Sequence, residues 1–195
     1  MRSILIPLAF VLAGCQLPVP ASAPASVNQA TAAQISLVQA LEVEALRREL
    51  AAHPFVYQAS EVEPVAIDLL VRVNRLRQSQ GRPPLVASAQ LMELAGLRVR
   101  DLVANEYAAH VHPRRGTLEA ERLLRAAGVE GLVAELLFGG SSDLGAVAEA
   151  AITGWAEDSA NRPLLLAQSY RYAGAGVMGD SDETLVVLLV AENQP

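Results

Sequence analysis

The feature that most restricts the fold lies late in the chain. Glu183 to Ala191 carries the apolar run Leu185-Val186-Val187-Leu188-Leu189-Val190. A short, β-branched run bounded by turn residues predicts a strand. Gly179-Asp180-Ser181-Asp182 precedes it, and Tyr172 to Met178 lies on the other side of that turn. The two segments are therefore expected to pair antiparallel as a hairpin. A third strand is read at Leu132 to Phe138, with the acid Glu135 inside it and Gly139-Gly140-Ser141-Ser142 as the turn beyond. Helices first and a small antiparallel sheet late is an α+β pattern.

The segments upstream have helical spacing. Thr31 to Ala52 places Ile35, Val38, Leu41, Leu46 and Leu50 on one stripe, too short for a coiled coil, and predicts a helix that docks back on the main domain. Pro54 ends it, which makes His53 a boundary residue. A second helix is expected from about Glu61, with Ser60 as N-cap and Glu63 closing a capping box. It presents Val65, Leu69, Val73 and Leu76 and stops at Gly81, a good residue for the position after a helix. Arg82-Pro83-Pro84-Leu85 is a rigid connection to a third helix, Ser88 to Asn105. Ala108 to Gly116 reads as a polar loop holding His110 and His112, the latter expected to be solvated. Shorter helices are expected over Leu118 to Ala127 and from Asp143, as cap, to about Trp155.

The start of the chain speaks to location. Arg2 is followed by the apolar stretch Ile4 to Val11, too short to span a bilayer, and then by Leu12-Ala13-Gly14-Cys15. This resembles the lipobox of bacterial lipoprotein signal peptides, in which the cysteine is lipidated. The resemblance implies a signal peptide over 1–14 and a lipidated Cys15, the only cysteine, that anchors the protein to a bacterial membrane outside the cytoplasm. With Cys15 acylated, no thiol remains for a disulfide or a nucleophile. Residues 15–30 form a Pro/Ala/Ser-rich tether, 31–54 the extra helix, and 55–195 the main domain. A net charge of −6 with no clustered basic face excludes a nucleic-acid partner. All fifteen basic residues are arginine, so lysine chemistry is excluded as well.

Gly154 to Val177 gathers the remaining signals: Trp155, the polar patch Asp158-Ser159-Ala160-Asn161-Arg162, a leucine run, and Tyr170 with Gly174 and Gly176. Taken in order with the upstream residues, it resembles the CAP superfamily (cysteine-rich secretory, antigen 5, pathogenesis-related; the SCP domain) in its short bacterial form. Asn74, Arg77, Gly81, Pro84 and Leu85 match the N-x-x-R helix and the G-x-x-P-L that follows it. His110 and Pro113 keep the spacing of the family's F-S-H-x-x-P loop, although Gly116 falls one residue late. Ala134-Glu135-Leu136 stands where the family has G-E-N and retains only the acid. Trp155 to Arg162 corresponds to W-x-x-S-x-x-H-R, and Tyr170, Gly174 and Gly176 to Y-x-x-x-G-x-G. The resemblance covers about Glu61 to Glu192 and implies an α-β-α sandwich.

In that family two histidines and two acidic positions line a cleft that binds a divalent metal in some members. The resemblance places His110, Glu135 and Asp158 at three of these positions and Asn161 at the second histidine. An amide oxygen is a far poorer zinc ligand than imidazole, so the implied divalent-metal site is weakened. Each residue also has a plainer reading. Glu135 would pair with an arginine such as Arg162, Asp158 would cap the helix entering Leu164, and Trp155 would be core. Two classes of function follow: a non-catalytic module for an envelope ligand or partner, and a metal-assisted hydrolase of peptide or cell-envelope substrates. Ser141, Ser142 and Ser159 stand in no nucleophile motif.

Overall fold

The computed structural model describes residues 40–55, 57–140, 143–179 and 183–195. Cys15, the signal peptide and the tether lie outside them. Helix α1 occupies 40–51. It is followed by α2 (Ala59–Ser79), β1 (Val86–Ala87), α3 (Ala89–Ala104), α4 (Glu119–Ala126), β2 (Val133–Gly140), α5 (Leu144–Glu157), α6 (Asn161–Leu165), β3 (Tyr172–Gly179) and β4 (Thr184–Ala191).

The four strands order as β1-β3-β4-β2, so the apolar run of β4 is the centre of the sheet. Every residue of β4 is buried. Strands β3 and β2 flank it antiparallel over eight residues each, and the hairpin joins β3 to β4 as expected. The two-residue β1 pairs parallel with Tyr172 and Ala173, a strand too short to show any period in sequence. Gly139 and Gly140, read as turn, instead complete β2 opposite Leu185 and Thr184. Ser141 and Ser142 lie outside the described residues.

Helices cover both faces in an α-β-α sandwich. Helix α3 lies against β3 and β4, while α2 and α5 pack on the sheet and on each other. Trp155, buried on α5, donates its indole N–H to Leu137 O of β2 at 2.9 Å. The close fit of α3 comes from β3. A Cβ on Gly174 would stand 2.1 Å from the Leu91 carbonyl carbon, and one on Gly176 2.3 Å from Ala95 O. Only residues without a Cβ let helix and strand backbones approach this far.

Helix α2 starts two residues before the expected position. Gln58 is the N-cap, and Glu61 closes the capping box by accepting from Gln58 N at 2.7 Å. Its buried face comprises Val62, Ala66, Leu69, Leu70 and Val73, then Arg77; Val65 and Leu76 are only half-buried. Gly81 follows the helix with φ at +67°, the left-handed conformation that ends helices at glycine. The matched Asn74 and Arg77 tie the next stretch down. Asn74 makes two hydrogen bonds to the backbone of Leu85, at 2.7 and 2.9 Å. Arg77, fully buried, donates to Pro83 O at 3.0 Å, Leu165 O at 2.7 Å and Ala167 O at 3.1 Å, joining the connection before β1 to the end of α6.

Helix α1 docks on the domain through Val43, Leu46 and Leu50, while Leu41, assigned to the stripe from sequence, is 55% exposed. Val43 takes its place because 43, 46 and 50 are in phase on one helical face. Two ion pairs flank the contact, Arg47 to Glu93 at 2.6 Å and Glu42 to Arg122 at 2.8 Å.

Gly176→Ala is expected to destabilise by about 1–3 kcal/mol or more, because backbone cannot yield to the added methyl. Gly96→Ala on α3, where a Cβ meets nothing within 4 Å, is expected to stabilise by up to about 1 kcal/mol. Urea midpoints of the two variants check the contrast.

Candidate functional site

The sheet register dictates where Glu135 points. It sits opposite Leu189 on β4, which in turn sits opposite Gly174 on β3. Residues in register across a sheet share a face, so Glu135 projects toward α3 like the positions of Gly174 and Gly176. There it meets Arg98, which is fully buried. Arg98 Nε donates to Glu135 Oε1 at 2.7 Å, and the other carboxylate oxygen contacts His110 Nδ1 at 2.7 Å. Both oxygens of the acid are thus engaged.

Arg98 is the hub of a larger buried network. Its Nη1 donates to Asp101 at 3.2 Å and to the Tyr107 hydroxyl, and its Nη2 to Ala109 O at 2.6 Å. The Tyr107 hydroxyl donates to Asp101 Oδ2, and Asn105 donates to Asp101 Oδ1 at 3.1 Å. Burial opposes the Arg98 charge, but Glu135, Tyr107 and Asp101 outweigh it and raise its pKa above the ordinary arginine value. Burial also pushes the Tyr107 phenol far up, reinforced by its hydrogen bond to Asp101, so it remains a donor.

The loop carrying the histidines is closed by backbone bonds, His112 N to Thr117 O at 2.8 Å and Gly116 N to His112 O at 2.8 Å. His112 is buried, not solvated. Its Nδ1 accepts from Arg114 N and Arg115 N at 3.1 and 3.3 Å, while Nε2 has no partner and lies 3.8 Å from Asp101 Oδ1. Beyond the loop, Glu119 is buried between Arg115 at 2.9 Å and Arg122 at 2.6 Å. Burial raises its carboxyl, yet the hydrogen bond and charge of Arg122, helped by Arg115 and Thr117, win and hold it below the usual range.

Asp158 and Asn161 do not join this network. Asp158 Oδ1 accepts from Ala160 N at 2.9 Å and Asn161 N at 2.7 Å, capping the entry to α6. Asn161 is buried, and no described hydrogen bond links it to His110 or Glu135. Arg162, suggested as the partner of Glu135, instead donates to Ala156 O at 3.2 Å and Gln80 Oε1 at 3.3 Å. Arg98 takes that role because it faces β2 from α3.

These residues do not fit a divalent metal. The Glu135 carboxylate is held by a guanidinium and an imidazole, Asp158 is turned to backbone N–H groups, and the second imidazole position is an amide. Among the described residues, no group of three or more His, Cys, Asp or Glu could hold an ion.

A family model for the cysteine-rich secretory protein family, CAP, matches residues 70–191. The chain belongs to that family. Its fold is similar to an extracellular protein with an SCP domain from Bacillus anthracis, at TM-score 0.56 and 23% identity over 68% of this chain and 41% of that one. It is also similar to an outer surface protein from Borrelia burgdorferi, at TM-score 0.59 and 16% identity over 72% and 98% of the two chains. A cysteine-rich secretory protein from Staphylococcus aureus gives TM-score 0.53 and 21% identity over 70% of this chain and 40% of that one. The chain thus spans about two fifths of the length of the first and third of these. No curated protein matches its sequence significantly.

Within this CAP domain, Arg98, Asp101, Tyr107 and Glu119 are neighbours of the candidate site that the sequence did not single out. Their signal was phase. Arg98 and Asp101 fall on the same helical face as Leu91, Leu94, Ala95 and Leu102, where a charge must be buried and paired.

Arg98→Met leaves Glu135 and Asp101 buried without their cation and is expected to cost about 3–5 kcal/mol in chemical denaturation. Glu119 is depressed in the folded state, so its contribution is present above the ordinary carboxylate pKa of about 4.3 and is lost as pH falls through the lower folded value. Glu119→Gln is therefore expected to cost about 1–3 kcal/mol at pH 7, with the gap to wild type closing in acid, as urea midpoints across pH would record.

Proposed function

We propose that the protein is an extracytoplasmic lipoprotein, held to a bacterial membrane through Cys15, whose CAP domain is a non-catalytic module for an envelope ligand or partner. The observation that carries this reading is the state of Glu135. The acid in the position of a cleft carboxylate spends both oxygens on Arg98 and His110, as a structural group does. A carboxylate held at both oxygens in this way cannot turn to a new ligand without giving up one of those contacts. Asp158 is likewise committed, to the backbone of α6. The cleft of the family is on this reading a retained scaffold whose metal chemistry has lapsed.

The location part rests on the lipobox-like Leu12-Ala13-Gly14-Cys15.

Zinc titration of the purified full chain by calorimetry tests the cleft. No saturable heat is expected from wild type, nor from Asn161→His alone, because Arg98 still occupies Glu135. Tight binding by wild type that His110→Ala abolishes would sink the reading. For the anchor, Cys15→Ser is expected to move the protein from the membrane pellet to the soluble fraction; retention in the pellet would refute lipidation at this residue.

A further inference from the structure

A cavity also opens away from His110. It is a cleft of about 740 Å³ along the outer edge of β3, and none of His110, Glu135, Asp158 or Asn161 lines it. Its floor is Ala175 to Met178, one wall is α2 at Val62 and Ala66, another is α3 at Met92, Gly96 and Arg100, and the end of α1 with the connection to α2, including Leu50, His53 and Phe55, also lines it. The cleft exists because β1 is so short. After Ala87 the chain turns at Ser88 into α3, and β3 continues without a paired strand on that side.

The hydrogen-bond pattern shows which groups are left there. Ser88 N donates to Ala173 O at 2.9 Å, which puts the backbone of Ala173 on the β1 side. In an antiparallel strand the N–H and C=O of one residue point the same way, and the direction repeats every second residue. Ala175 and Val177 therefore present two donors and two acceptors to the cleft. Among the described residues, the single acceptor for these donors is the Met92 thioether, 3.2 Å from Ala175 N, and thioether sulfur is a weak acceptor. A buried edge with open ladder positions is a template for another strand.

The geometry points to this edge as a binding site for an extended peptide of a partner protein, added to the sheet as a strand beside β3 where β1 stops. Backbone pairing with Ala175 and Val177 supplies recognition common to any peptide. At about 3.4 Å per residue the floor accommodates about four residues. The walls select the sequence. Val62, Ala66 and Met92 suit small and apolar side chains at alternate positions. Arg100, half-buried and with no ion pair or hydrogen bond among the described residues, offers a cation to a carboxylate of the guest, and Glu63 on the α2 wall, also without a described partner, offers an anion to a basic group. Gly96, midway along that wall, keeps the passage open: a Cβ there meets nothing within 4 Å.

A phage-displayed library of random linear peptides, selected on the full chain and followed by fluorescence polarisation of labelled synthetic hits, tests the site. Enriched peptides are expected to alternate apolar residues and to carry an acid. Gly96→Leu, which puts a branched side chain into the passage, is expected to weaken their binding by about tenfold or more, and Arg100→Glu to weaken acidic hits by a similar factor. N-methylation of alternate peptide nitrogens is expected to abolish binding in one register and spare it in the other, a signature that side-chain docking alone does not give. Circular dichroism of both variants confirms that they fold; if either does not, the N-methyl series on wild type decides alone. Failure of any peptide to enrich over a control protein overturns the proposal, as does indifference of the hits to N-methylation. A chain that dimerises without peptide, and becomes monomeric on Gly96→Leu, also overturns it in favour of a second copy at this edge.

Discussion

The contact between α3 and β3 sets the rest of the structure. With Gly174 and Gly176 opposite Leu91 and Ala95, helix and strand meet backbone to backbone, and no side chain cushions the distance. Because α3 sits so deep, residues one and two turns beyond the contact are driven over the neighbouring strands. Arg98 arrives over β2, where the register has already aimed Glu135 at it. The same depth leaves Met92, Gly96 and Arg100 beside the free edge of β3, so the buried network and the open cleft are two results of one approach.

Buried arginine is the second organising device. Arg77 and Arg98 are both inaccessible to solvent, but they are satisfied differently. Arg77 has no carboxylate partner and spends its donors on main-chain carbonyls, among them that of the last residue of α6, where a cation also meets the negative end of a helix. Arg98 is neutralised by acids and forms part of an alternating series: Glu135, Arg98, Asp101, Arg115, Glu119, Arg122 and Glu42. The planar, five-donor guanidinium suits both roles, which an ammonium could not fill with the same geometry.

The sequence made the architecture readable where periodicity and turn chemistry agreed. The β3–β4 hairpin, Asp143 as a cap, and Gly81 after α2 all follow from local rules that no tertiary contact contradicts. What local rules missed was long-range. A two-residue strand such as β1 exists only because β3 is there to receive it. The partner of Glu135 depended on how α3 crosses the sheet, so the nearer-looking Arg162 was the wrong choice. His112, polar and in a loop, looked solvated because sequence does not show that its loop folds shut over Asp101 and Tyr107. The site positions were legible through family motifs, but whether their side chains converge was set by hydrogen bonds that the motifs do not encode.

The place of β4 in the sheet bears on how the protein is made. This central strand, paired on both sides, is the last element of the domain in chain order. Until residue 191 is available, β2 and β3 have no common partner, and the close seat for α3 is incomplete. Sheet formation must therefore follow synthesis of nearly the whole domain, and its contacts span long stretches of sequence, which slows closure. Until β4 arrives the upstream helices can form only as local structure, without the sheet that buries their apolar faces.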